Sequence, residues 1–164
     1  MIIAISGSVG SGKTTIAKEL STRLNYELIQ LNDLAKKYKL EEVKELQTFD
    51  FDLDKLLGDL ELKLKQKKLN NENVILEGHF AHLINPELID KLIIIGRSLK
   101  ELKQTYKQRG YNNQKIADNL EVESFNLCFY EALEEGYKEE KQVFLINNNE
   151  TINKAIEKIK IVLI

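Results

Sequence analysis

Residues 7–14 read Gly-Ser-Val-Gly-Ser-Gly-Lys-Thr. A glycine, four residues and then Gly-Lys-Thr is the spacing of a loop that wraps a nucleotide phosphate. Glycines let the backbone curl until successive N–H groups converge on an anion. Lys13 can reach the β- and γ-phosphates of a triphosphate, and the Thr14 hydroxyl can ligate Mg²⁺. A helix starting near Thr14 adds the positive end of its dipole. The alternative is a glycine-rich turn with a solvated lysine. It is disfavoured because an apolar strand precedes the loop and an amphipathic helix follows it.

Such a loop works with an acid at the end of a neighbouring strand, which holds the metal or its water. Val74-Ile75-Leu76-Glu77 ends in one, followed by Gly78 and His79. Glu77 could instead be a strand-terminal surface residue, but strand carboxyl ends in a sheet of this class face the ligand crevice. His79 could position or deprotonate a nucleophile, hydrogen-bond a phosphate, or be a loop histidine satisfied locally. His79 and His82 as a metal pair want a further soft ligand nearby.

Arginine usage is a second signal. Twenty-four residues are basic, yet only Arg23, Arg97 and Arg109 are arginine, so an arginine here suggests a need for its fork geometry. Arg97 follows the strand Leu92–Ile95 and could lie over the phosphates. Arg109 sits in Arg109-Gly110-Tyr111 between two helical stretches, where a mobile lid could carry it onto a transferring phosphoryl group. Either could serve a surface ion pair instead. Arg23, inside the first helix, reads as structural. Lys63, Lys65, Lys67 and Lys68 read as the solvated face of a helix, with weak ribosomal RNA contact the lesser alternative.

These groups need a scaffold. Ile2–Ile5, Asn73–Leu76, Leu92–Ile95 and Val143–Ile146 are short apolar runs that read as buried strands, and Glu27–Leu31 is a weaker fifth. Ile16, Leu20 and Leu24 share a helix face, as do Leu53, Leu57, Leu60 and Leu64, and Ile152, Ile156, Ile159 and Leu163. A longer helix is expected from Asn113 to Tyr137, burying Ile116, Leu120, Leu127 and Phe129 or Tyr130. Apolar strands need cover on both faces, which right-handed helical crossovers supply. The expected fold is α/β, a five-stranded, parallel, doubly wound sheet of the P-loop type with helices on both faces.

The 164 residues suit one domain. With 24 basic against 26 acidic residues the net charge is −2, which argues against a dedicated nucleic-acid binder. One cysteine, Cys128, allows no intramolecular disulfide. No apolar run reaches the roughly 20 residues of a membrane span, and no signal-peptide pattern opens the chain. The expectation is a soluble cytoplasmic protein.

Several segments resemble the adenylate kinase isoenzyme 6 family, the coilin-interacting nuclear ATPase type, with its archaeal members. The most specific is Arg109-Gly110-Tyr111-Asn112, followed by Lys115, Ile116, Asp118, Asn119, Leu120 and Glu123. Tyr130-Glu131-Ala132 and Tyr137-Lys138-Glu139-Glu140 continue it. The phosphate loop, Asp33-Leu34-Ala35 and Glu77-Gly78-His79 fall where that family has motifs. The resemblance implies a single P-loop kinase domain over 1–164, with a nucleoside-monophosphate-binding segment near 30–53 and a lid near 108–118. It implies MgATP + AMP ⇌ 2 ADP with accompanying ATP hydrolysis, and a role in small ribosomal subunit and rRNA maturation through a platform protein. By position, Gly10, Gly12, Lys13, Thr14, Thr15 and Arg109 would bind ATP. Lys13, Glu77, His79 and Arg109 would be catalytic, Thr14 and Glu77 would hold Mg²⁺ (Glu77 through water), and Asp33, Lys36 and Arg97 would contact AMP. Two positions depart from the pattern: Glu77 stands for an aspartate, and Lys36 for an arginine whose bidentate grip lysine lacks. A second expectation follows, an assembly-factor ATPase with little monophosphate kinase activity, its cycle controlling a ribosomal protein complex.

Overall fold

The computed structural model describes residues 1–44 and 48–164. The five expected strands are present as β1 (Ile2–Ser6), β2 (Glu27–Gln30), β5 (Val74–Glu77), β6 (Lys91–Gly96) and β7 (Val143–Asn147). They form one sheet of order β2-β5-β1-β6-β7, every pairing parallel. The two-residue period of a strand divides β1 between two cores. Ile2 and Ala4 enter one, Ile3 and Ile5 the other, and β6 alternates likewise with Leu92 and Ile94 against Ile93 and Ile95.

Helices cover both faces, as the unbroken apolar strands require. On one lie α1 (Lys13–Leu24) and α7 (Ile152–Leu163), burying Ile16, Ala17, Leu20, Ala155, Ile156 and Ile159. On the other lies α3 (Leu53–Leu69), with Leu56, Leu60 and Leu64 inward and the Asp52 side chain accepting from the Lys55 amide at its start. The basic run on α3 is not wholly solvated: Lys67 bridges Glu27 at 2.5 Å and Glu72 at 2.7 Å.

Between β2 and α3 the chain forms α2 (Leu31–Ala35) and an antiparallel hairpin, β3 (Lys39–Val43) with β4 (Thr48–Phe51). Residues 45–47 of the expected monophosphate segment 30–53 lie outside the described residues. After β6 come α4 (Leu99–Gln108), α5 (Asn113–Ser124) and α6 (Leu127–Glu134).

The single helix expected over 113–137 is thus two. Asn126 is left-handed at φ 49°, a conformation that asparagine tolerates and that stops a helix. The change of direction turns Cys128 and Ala132 into the core and leaves Leu127 and Tyr130 exposed. Leu120 and Phe129 are only partly buried. Among the described residues no helix is long and apolar enough to cross a membrane.

Candidate active site

The carboxyl ends of β1, β5 and β6 open on a cleft of about 310 Å³. Gly10, Gly12, Lys13, Thr14, Thr15, Glu77, His79, Arg97 and Arg109 all line it, joined by Asn32 and Thr105. Asp33 and Lys36 do not; they pair with each other at 2.6 Å on the exposed surface of α2 and the turn after it.

The loop between β1 and α1 is held from outside by its carbonyls. Lys13 Nζ donates to the Ser8 oxygen at 2.8 Å, Tyr106 Oη to Val9 at 2.6 Å, Arg97 Nη1 to Gly10 at 3.2 Å and Asn148 Nδ2 to Ser11 at 2.9 Å. A peptide plane whose carbonyl is turned away presents its N–H on the opposite side, the arrangement an anion cradle needs. Two glycines permit the close approach. At Gly7, φ 131°, a Cβ would lie 2.3 Å from the Ile95 carbonyl oxygen; at Gly12, φ 98°, it would lie 2.5 Å from Asn148 Nδ2.

Lys13 is buried, and burial pushes its ammonium pKa down to about 8, against the opposing pull of Glu77. Glu77 is 2% exposed. One carboxylate oxygen accepts from Thr14 Oγ1 at 3.2 Å and the other from Gln30 Nε2 at 3.5 Å. A hydroxyl and a carboxylate side by side are hard oxygen donors, suited to Mg²⁺ with water completing its shell.

The His79 ring is accessible on the cleft wall, edge-on to Phe80 at 5.1 Å. The protein packed around it, and after that the Lys13 charge, push its pKa down to about 4. His82 is buried and points elsewhere, between Ser6 and Glu131.

Arg97 is partly engaged within the protein, its buried Nε making no hydrogen bond. Besides holding Gly10, its amide donates to Glu123 Oε1 at 2.6 Å, and its Nε lies 3.7 Å from Glu101. Arg109 caps α4, its amide donating to the Thr105 carbonyl, and Gly110 follows at φ 69°. Behind it Tyr111 stacks on Tyr106 at 5.7 Å, with Lys115 Nζ 4.5 Å over the Tyr111 ring.

Sequence reasoning missed Thr105, Tyr106, Gln30 and Asn148, and met Glu123 only as part of the family resemblance. Asn148 had a readable signal, since Asn147-Asn148-Asn149 ends an apolar strand at the sheet edge where ligands sit. The others are recognisable only by tertiary position.

Comparison with known proteins bears on family and fold. The family model described as "AAA domain" matches residues 3–126. A "Putative adenylate kinase" of Thermococcus kodakarensis is 35% identical over 136 residues, 83% of this chain and 72% of that protein. The Pyrococcus furiosus protein of the same name is 36% identical over 135 residues, covering 82% and 70%. In fold, the chain is similar to a deoxyadenosine kinase from M. mycoides solved with bound dATP, at TM-score 0.57 and 21% identity over 99% of both chains. The chain belongs to the AAA-domain P-loop family of these archaeal adenylate kinase-type proteins.

Proposed function

We propose that the protein is a nucleotide kinase that transfers the γ-phosphoryl of MgATP to AMP, giving two ADP. The observation that supports this reading best is the convergence of Lys13, Thr14, Glu77 and Arg109 on one cleft at the mouth of the phosphate loop. Relatives named as adenylate kinases support the same class of reaction.

In this reading the residues work by position and charge rather than by proton abstraction, because the acceptor phosphate is already an anion. The loop amides and the start of α1 hold the β- and γ-phosphates of ATP. Lys13 leaves the Ser8 carbonyl for the phosphate oxygens, whose charge restores its ordinary basicity. Thr14 and Glu77 would hold Mg²⁺, Glu77 through water. The bound ion would neutralise charge on the β- and γ-phosphates. Arg109, at the turn between α4 and α5, spans donor and acceptor, and the segment 108–118 acts as the lid that excludes water. Arg97 serves mainly as a strut for the loop, and the AMP contacts of Asp33 and Lys36 require their surface pair to open.

ATP hydrolysis is a second reaction of the same cleft. His79 supports it, since an imidazole kept neutral on the cleft wall can orient or deprotonate water. A part in small ribosomal subunit maturation, through a platform protein, rests on the sequence resemblance over residues 109–140.

The test is ATP consumption with Mg²⁺, with and without AMP, following all three adenine nucleotides. Two ADP per ATP, with AMP consumed, is the expected result. ADP and inorganic phosphate at a rate indifferent to AMP would replace the kinase reading with an ATPase.

A further inference from the structure

The two histidines that follow β5 part company in the fold, and the second has the soft ligand that its sequence neighbourhood lacked. The His82 ring is 3% exposed. Its Nδ1 lies 2.7 Å from Ser6 Oγ and its Nε2 lies 2.8 Å from Glu131 Oε2. Cys128 stands three residues before Glu131 in α6, so helix geometry puts both on one face. Ligand atoms of His82, Cys128 and Glu131 all lie within 4.8 Å of one another.

We propose that His82, Cys128 and Glu131 bind a zinc-class divalent cation at a site separate from the nucleotide cleft. A thiol, an imidazole and a carboxylate together are a zinc donor set, whereas Mg²⁺ and Ca²⁺ take oxygen alone. Tetrahedral zinc keeps such ligands about 3.3–3.6 Å apart. The hydrogen-bonded His82–Glu131 pair therefore has to spread slightly. The Glu131 side chain is 38% exposed, which gives an ion its entry path and leaves a fourth position to water.

Ser6 meets a further requirement. A zinc-bound imidazole carries its proton on the other nitrogen and donates it to a fixed acceptor. Ser6 Oγ stands there, and its own hydroxyl donates a hydrogen bond to the His79 carbonyl at 3.1 Å. Binding through Nε2 moves the His82 proton to Nδ1, and the Cys128 thiol gives its proton to solvent. One proton is released per ion. The bound cation would fasten α6 to the turn that follows β5, bracing the backbone that carries Glu77 and His79.

The probe is cobalt(II), added to the reduced, nucleotide-free protein, with zinc in competition. A 1:1 complex with a thiolate-to-cobalt charge-transfer band is expected, together with the strong visible bands of a four-coordinate ion, all bleached by zinc. Cys128 is the only cysteine, so the wild-type spectrum alone decides whether a thiolate is bound. Cys128→Ser should remove the band, and Ser6→Ala should weaken zinc binding about 10–100-fold. Glu77→Gln should leave the band unchanged. No charge-transfer band in the wild type overturns the site, as does zinc affinity that Cys128→Ser and Glu131→Gln both leave unaltered. No nucleotide enters the assay, so its failure is distinct from failure of the kinase reading.

Discussion

The side-chain amide of Asn148, beyond the last residue of edge strand β7, donates to the Ser11 carbonyl of the phosphate loop at 2.9 Å. Asn148 is 8% exposed and fills the space that a side chain on Gly12 would need. The loop's shape is therefore set from the far end of the chain as well as by its own glycines. Asn148→Ala should raise KM for ATP by about tenfold, the value of one buried hydrogen bond, while kcat falls less. Steady-state kinetics at saturating AMP reads this; an unchanged KM would remove Asn148 from the support of the loop.

Lys13 gives a stability prediction with a definite sign. Its pKa stands at about 8 in the folded, nucleotide-free protein against 10.5 when unperturbed. Below pH 8 the lysine is charged in both states, and the folded state carries the cost of burying that charge. Between pH 8 and 10.5 the unfolded chain binds more protons, so stability rises with pH through that window. Lys13→Met should be the more stable protein at pH 7, by up to roughly 3 kcal/mol. That advantage should shrink towards zero by pH 10.5. Paired denaturant melts of both proteins across this range measure it, and a gap constant with pH would refute it.

His79 is neutral through the physiological range because its pKa lies at about 4. His79→Ala should therefore reduce AMP-independent hydrolysis more than AMP phosphorylation. The His79-dependent part of kcat/KM should stay level above about pH 6 and fall only as pH approaches 4, where the ring gains its proton. Equal losses in both reactions would count against a role with water.

Lys36 offers one rotatable ammonium where a fork would grip a phosphate, and it is paired with Asp33 at 2.6 Å. Lys36→Arg should lower KM for AMP and leave KM for ATP unchanged. If Lys36→Arg and Lys36→Ala both leave the AMP dependence as it was, the acceptor is held elsewhere.

What the sequence revealed and what it hid follow from physics. The five strands were legible because burial on both faces demands continuous runs such as Leu92–Ile95, and the phosphate loop because its task fixes residue types at four of eight consecutive positions. The hairpin was not, since Lys39–Val43 is almost entirely exposed and shows no alternation. The break at Asn126 hid because Ile116, Leu120 and Leu127 keep a helical period straight across it. Arg97 lines the cleft, as its place after an apolar strand suggested, yet its engagement with Gly10 and Glu123 depends on chain segments that meet only after folding. The same holds for His82, Cys128 and Glu131.

The hairpin has one more consequence. A two-stranded ribbon is marginally stable by itself, and this one leans on the core through the Phe51 ring, 5.2 Å from Phe80. Its backbone ladder stands apart from the five-stranded sheet. Detaching it breaks few long-range pairings, so β3 and β4 can open as a subglobal unit at a fraction of the free energy that unfolds the whole chain. Amide exchange should then be fast across Lys39–Val43 and slow in β1, and a molecule held against the hairpin could leave without the phosphate loop changing shape.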